Sequence, residues 1–387
     1  MFSSRVPGDL TPNRLTQAIQ QVRAAGTPLI DLTLTNPTTA GISYPPSLLG
    51  ALADPAGLRY APNPLGLPAA RAAIARDYAR HGINVAPESV VLTASTSEAY
   101  SVLFKLLCDP DKDAVMLPVP SYPLFDHLTQ LDGVRALSYP LEYEGRWAVD
   151  FDTLDRGWTD TVRAVLAVSP NNPTGSVLTD VESEELGRRC AERDAALIID
   201  EVFADYPLEP REAAAQHRRP DCLTLRLGGL SKSAGLPQVK LGWIVVDGPE
   251  VLVRGAIERL ELICDTYLSV STPIQLAAPA LIEAGVEIRA AILRRVQCNH
   301  RDLQTMSAAH RAIEVLRCDA GWSAVLRVPA TTSEEDLVLG LLEQDGVLVH
   351  PGFFFDFPHE AFLVVSLLPE TATFKAGMTR VLERAGA

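Results

Sequence analysis

The sequence predicts an α/β protein, with a large domain around a seven-stranded, mainly parallel sheet and a smaller α+β domain beside it. Three observations carry this. Seven short runs rich in Val, Ile and Leu lie between residues 90 and 246, with amphipathic helical stretches between most of them, as expected for strands covered on both faces. From Pro249 the pattern changes to long helices followed by short strands. The 387 residues are 47% hydrophobic and 21% charged, which matches soluble globular averages and leaves room for two domains.

Taken in order, residues 1–43 hold too little apolar sequence for a core and are expected to pack on the smaller domain. The division is therefore 44–285 for the large domain, and 1–43 with 286–387 for the small one. Strand candidates are Val90–Thr93, Ala114–Pro118, Val134–Tyr139, Ala164–Val168, Ala196–Ile199, Leu223–Leu227 and Leu241–Val246. They are mostly apolar rather than alternating, which suits the interior of a parallel sheet. Pro249–Thr266 and Thr272–Ala284 read as helices, and Val286–Val315 as one long helix. Short strands follow at Ala324–Val328, Val347–Val349 and Leu363–Leu367, with a last helix at Thr371–Ala385.

Composition excludes several classes. Against 34 Lys+Arg stand 48 Asp+Glu, a net charge of −14. Nucleic acid is therefore not an expected partner, since backbone binding needs clustered cations. The Arg188-Arg189 and Arg294-Arg295 pairs read as solvated helix faces. Cysteines stand at 108, 190, 222, 264, 298 and 318, without a C-x-x-C or zinc-ligand spacing, so neither a disulfide framework nor a metal site is expected. Six scattered cysteines suit small hydrophobes in a reducing compartment. No apolar signal region follows Met1-Phe2-Ser3, and no segment is long and apolar enough to span a membrane. The expectation is a soluble, cytoplasmic protein.

Several familiar motifs are missing. No G-x-G-x-x-G follows a strand, and there is no Walker A sequence. Gly229-Leu230-Ser231-Lys232-Ser233 falls one residue short of a nucleophile elbow, because Ser233 stands where Gly is required.

The lysine in that segment is more informative. Most lysines are solvated surface charges. Lys232, however, lies in a small-residue turn directly after a predicted buried strand, where a desolvated amine could form a Schiff base. Asp200 ends an apolar run starting at Ala196, at the strand edge where open α/β sheets bind ligands; its plainer reading is a helix N-cap. Asn172, in Ser169–Gly175, is by itself a turn residue. Ser95, Thr96 and Ser97 lie between a strand and a helix. They are good N-caps, and they also fit an anion cradle. Each is ambiguous alone. Together, four strand-to-loop junctions would present a phosphate cradle, an amide, a carboxylate and a lysine along one sheet edge.

That combination resembles the class I/II aminotransferases, the fold-type I pyridoxal-phosphate enzymes, over essentially the whole chain. Tyr60–Arg71 resembles the family's Tyr…Gly-x-x-x-x-Arg segment, Val91–Ala99 its phosphate-cup turn, and Pro118–Pro123 the loop bearing an aromatic stacked on the cofactor. Asn171–Gly175, Asp200-Glu201 and Ser231-Lys232 follow in the family's order. The resemblance implies an aminotransferase acting on an amino acid and a 2-oxo acid. Lys232 would carry the cofactor and shuttle a proton, and Asp200 would pair with the pyridine nitrogen. Asn172 would donate to the ring O3′ and Tyr122 would stack on the ring. Ser95, Thr96, Ser97, Ser231 and Lys240 would hold the phosphate, and Tyr60 would reach the phosphate of the other subunit in a homodimer.

Three positions depart from the family. Lys240 replaces an Arg, which exchanges a fork for a point charge. Phe203 replaces a Tyr that would donate to O3′. Val364 stands two residues before Ser366, where an Arg normally clamps the substrate carboxylate. Arg5 and Arg327 are the candidate replacements, and Asn36 is a further candidate substrate contact. Two other readings share this scaffold: a β-lyase or other elimination enzyme, and a non-catalytic pyridoxal-phosphate-binding regulatory module. The second would require a DNA-binding segment that the N-terminal stretch does not resemble.

Overall fold

The computed structural model describes residues 2–209, 220–268 and 270–386. The chain opens with α1 (Arg14–Ala24) and a two-residue strand, β1 (Ile30–Asp31). Next come α2 (Pro68–Tyr78), β2 (Val90–Thr93), α3 (Thr96–Leu107), β3 (Ala114–Val119), α4 (Leu124–Asp132) and β4 (Arg135–Tyr143). They are followed by β5 (Trp147–Val149), α5 (Phe151–Gly157), β6 (Val162–Val168), α6 (Asp180–Glu192), β7 (Ala196–Asp200) and β8 (Thr224–Gly229). A single turn, α7 (Leu230–Ser233), and β9 (Gly242–Asp247) complete the main sheet.

The main sheet has eight strands in the order β2-β9-β8-β7-β6-β3-β4-β5, not seven. The extra strand, β5, pairs antiparallel with the end of β4. At three residues it is too short to show a periodicity of its own. Pairing is parallel from β4 through β3, β6 and β7 to β8, and β9 runs antiparallel between β8 and β2. The carboxyl ends of β2, β3, β6, β7 and β8 therefore share one edge. The central strands are buried along their length because helices cover both faces: α3 and α8 (Glu250–Tyr267) on one, α5 and α6 on the other. A Thr179–Glu182 capping box starts α6, with each side chain taking the other residue's amide.

The helical patterns at 272–284 and 286–315 are one 36-residue helix, α9 (Thr272–Ser307), which ends before a short strand, β10 (Glu314–Val315). Gly285 is no break: its missing side chain lets the helix lie on Ala234, whose Cβ would be 2.6 Å from an added Cβ. The expected domain division at 285/286 falls inside this helix. Beyond it lie β11 (Ser323–Arg327), α10 (Glu334–Glu343), β12 (Val347–Leu348), β13 (His350–Pro351), β14 (Phe362–Ser366) and α11 (Thr371–Ala385). A four-stranded antiparallel sheet runs β10-β11-β14-β13, and β1 pairs parallel with β12. The N-terminal segment thus forms a separate two-stranded sheet with the C-terminal part of the chain, with Ala18 of α1 packed near Leu339 and Leu342 of α10.

Candidate active site

At the carboxyl edge of the main sheet, β2 feeds into α3 through Ala94 and Ser95. Ser95 is the N-cap, its hydroxyl accepting from the Glu98 amide at 3.1 Å. The Glu98 carboxylate reaches back to the Ala94 amide. First-turn amides of a helix have no intrahelical partner, so Thr96 and Ser97 offer theirs at the helix mouth. The sheet lies flush beneath this turn. A Cβ on Gly242 would sit 2.8 Å from the Ser95 carbonyl carbon and 3.0 Å from the Thr96 nitrogen, so only glycine fits at the start of β9. Cup, β8 and β9 meet here, within reach of α7 and its lysine.

The Lys232 amine lies over two aromatic rings, 5.0 Å from the Trp322 centroid and 5.6 Å from that of Phe203. Burial pushes its pKa down to about 8, partly opposed by the Asp200 carboxylate. Asp200, at the end of β7, is buried, which pushes its pKa up to about 6. Two donors resist that rise. The fully buried Tyr100 hydroxyl donates to Oδ2 at 2.6 Å, and the Val202 amide to Oδ1 at 3.0 Å. A lysine able to lose its proton near neutral pH thus faces a carboxylate held ionised above about pH 6.

The loops after β3 and β6 are tied to each other. The Asn171 side chain donates to Pro120 O at 3.0 Å and accepts from the Ser121 hydroxyl at 3.3 Å. This sets the partly exposed Tyr122 beside the Asn172 loop. Asn172 Oδ1 accepts from Ser323 of β11 at 3.5 Å, leaving its NH₂ to donate elsewhere. On β11 and β14, Ser323, Val325 and Val364 share one face, with His350 opposite Val364 on the other side. This is the face of the small sheet turned toward the site. Val364 is buried there with Val325, Phe355 and Phe357. The His350 ring stacks on Phe354, with centroids 4.9 Å apart, and burial pushes its pKa down to about 4. Aliphatic side chains and a neutral imidazole therefore stand where a guanidinium was expected.

The candidate replacement cations are engaged elsewhere. Arg5 is exposed and donates to Leu131 O at the end of α4, and Arg327 pairs with Glu314 on β10. Asn36 caps a short helix, with its oxygen accepting from the Thr38 amide and hydroxyl. Ser231 lies in α7 beside the lysine, while Lys240 is exposed in the loop before β9. Tyr60 is 68% exposed among the described residues.

This donor set fits the cofactor that the sequence resemblance implies. A cup of amides and hydroxyls suits a phosphate, and a buried carboxylate with one face left over suits a protonated ring nitrogen. A depressed amine suits an aldehyde carbon. Sequence reasoning missed Tyr100 and Trp322. Tyr100 reads as one more apolar position of a helix, and its partner is a hundred residues away. Trp322 follows Gly321 at a strand start, with no motif to single it out.

The family described as "Aminotransferase class I and II" matches residues 27–378. The chain is 26% identical over 373 residues to the glutamate-pyruvate aminotransferase AlaA of Haemophilus influenzae, covering 92% of this chain and 90% of that one. It is 25% identical to an alanine aminotransferase of Mycobacterium tuberculosis, covering 94% and 87%. The fold is that of a Pyrococcus furiosus alanine aminotransferase, with a TM-score of 0.87, 22% identity and 99% of each chain covered.

Proposed function

The chain belongs to the class I and II aminotransferases; on that premise we propose which residues carry the reaction and which substrates they take. It is a pyridoxal-phosphate-dependent enzyme that moves an amino group between an amino acid and a 2-oxo acid. The bound cofactor supplies an aldehyde for amines and a ring that accepts the electron pair left when the substrate α-carbon loses its proton.

The chain's own residues do the rest. Ser95, Thr96 and Ser231, with the first-turn amides of α3, hold the phosphate, and Ser97 and Lys240 lie at its margin. Asp200 keeps the ring nitrogen protonated. The Asn172 amide would donate to the ring oxygen and Tyr122 would stack on the ring, while Phe203 and Trp322 line the floor around the lysine. Lys232 would hold the cofactor and, once its amine is free, would move the proton from the substrate α-carbon to the cofactor's aldehyde carbon, across the nitrogen between them. The observation that carries this reading is the Lys232 amine, set 5.0 Å from the Trp322 ring and 5.6 Å from that of Phe203, where burial lowers its pKa to about 8 against the pull of the Asp200 carboxylate.

Alanine and glutamate are the proposed amino donors, with pyruvate and 2-oxoglutarate as the matching acceptors. The names of the relatives support this, and the apolar wall of Val325, Val364 and Phe355 suits a methyl side chain. Enzyme given L-alanine and 2-oxoglutarate should form pyruvate and glutamate in equal amounts. Release of pyruvate and ammonia from a donor with a β leaving group, such as L-serine or L-cysteine, without any 2-oxo acid would mean elimination instead. Turnover with another donor but not with alanine would remove the substrate assignment and leave the chemistry.

The working unit is proposed to be a homodimer with shared sites, in a reducing, cytoplasmic setting suited to six free cysteines. Leu58, Tyr60, Tyr267 and Leu268 are 92%, 68%, 59% and 67% exposed. Their segments adjoin, since an added Cβ on Gly57 would lie 3.1 Å from Pro273. An apolar patch of this kind marks an association surface. Mixing inactive Lys232→Ala chains with inactive Tyr60→Ala chains should restore part of the activity, because each hybrid keeps one intact site. Full activity from a monomer by light scattering would end the shared-site proposal.

A further inference from the structure

Lys232 is carried on α7, a helix of four residues. One turn of helix does not hold itself in place; the Gly235 amide donates back to Lys232 O at 3.2 Å, and side chains from distant elements bind this carbonyl and those that follow it. The Tyr206 hydroxyl donates to Lys232 O, and the Tyr44 hydroxyl donates to Gly235 O at 2.6 Å. Arg289, from the middle of α9, donates through Nε to Ser233 O at 2.6 Å.

Arg289 is buried at 7% exposure. Its Nε lies 3.4 Å from Asp205 Oδ2, while the other Asp205 oxygen takes Arg80 at 3.1 Å and His81 at 3.2 Å. Asp77 stands 3.8 Å from Nη2 of Arg289, and that nitrogen has no hydrogen-bond partner among the described residues. A buried guanidinium with an unpaired donor is costly. An apolar side chain would fill the space between α9 and α7 without that cost. It could not bind the carbonyl that follows the lysine.

We propose that Arg289, steadied by Asp205, is a positioning residue for Lys232. By fixing Ser233 O it sets the direction from which the lysine amine reaches the cofactor and the substrate α-carbon. The proposal rests on Lys232 being the attachment lysine.

Arg289→Gln is compared with wild type as the holoenzyme and after removal of the cofactor. In the holoenzyme, kcat should fall about ten- to a hundred-fold, the range for a small misplacement of a reacting group. KM for the amino donor should stay within about two-fold, since substrate contacts are untouched. In the cofactor-free protein, amide exchange at Ser233, Ala234 and Gly235 should quicken, a readout independent of catalysis. Arg289→Lys keeps one donor and should recover part of both effects. Asp205→Asn leaves Arg289 in place but unsteadied, and should show the same two changes in smaller measure even if Arg289→Gln does not fold. Wild-type kcat and exchange in a folded Arg289→Gln, or in Asp205→Asn should the former not fold, overturn the proposal. Borohydride fixing of the wild-type cofactor separates the two readings. Fixing at another lysine overturns the attachment assignment, whereas fixing at Lys232 with unchanged exchange in the variants overturns only the role of Arg289.

Discussion

Lys232→Ala should still bind pyridoxal phosphate but lose multiple turnover, with kcat down by at least about 10³-fold. Proton transfer by a positioned base contributes roughly 10²–10⁴-fold, and the same side chain carries the cofactor's covalent attachment. The phosphate cup at the start of α3 is untouched by the substitution, so binding persists while release and recharging fail. Borohydride should fix the cofactor to the wild-type peptide containing Lys232 and to no peptide of the variant. Fixing at Lys240, the exposed lysine eight residues on, would move the assignment there. A second consequence concerns the cofactor-free protein. The folded-state pKa of Lys232 is lowered from 10.5 to about 8, so below about pH 8 the fold bears the cost of a buried charge. That cost fades as pH rises from about 8 to 10.5, because there the unfolded chain holds the proton that the folded one has lost. Cofactor-free Lys232→Met should therefore melt above wild type at pH 7, with the gap closing across that interval. A gap constant with pH would mean the amine is not desolvated.

Asp200→Asn should lower kcat by about 10²–10³-fold, the range for removing one preorganised electrostatic partner of the developing charge. An amide of the same shape keeps the packing and loses the charge that holds a proton on the ring nitrogen. The pH profile provides a finer test. Folded Asp200 titrates near 6, so as pH falls through that value the carboxylate takes up a proton and cofactor affinity should fall with it. Tyr100→Phe removes one of the two donors that keep Asp200 ionised. A charge-assisted hydrogen bond contributes about 1.5–3 kcal/mol, which is about one to two pH units. The acid limb of cofactor binding should move up by that much in Tyr100→Phe. An unmoved limb would show that Tyr100 only fills space.

The main strands could be read from composition because parallel strands covered by helices are apolar throughout, and the loops after β2, β6, β7 and β8 carry compact motifs. The residues that position those motifs could not be read this way. Tyr100, Tyr206 and Arg289 act through single contacts with segments 26 to 100 residues away, and nothing local distinguishes them from ordinary helix or turn positions. Arg5 and Arg327 show the converse error. A search for a replacement cation found charges by type, while the structure commits both to unrelated partners. The helix boundary placed between Ala284 and Val286 fails in a third way: Gly285 there serves close packing on Ala234 within one continuous helix.

The unbroken run of α9 also sets how the molecule can deform. Thirty-six residues at about 1.5 Å each make a rod of about 54 Å, shared by the two halves of the chain. Any movement of the small sheet against the main one would have to bend this helix. Pro279 lies within that helix and removes one rung of its hydrogen-bond ladder, so curvature should concentrate there, just under three turns ahead of Arg289.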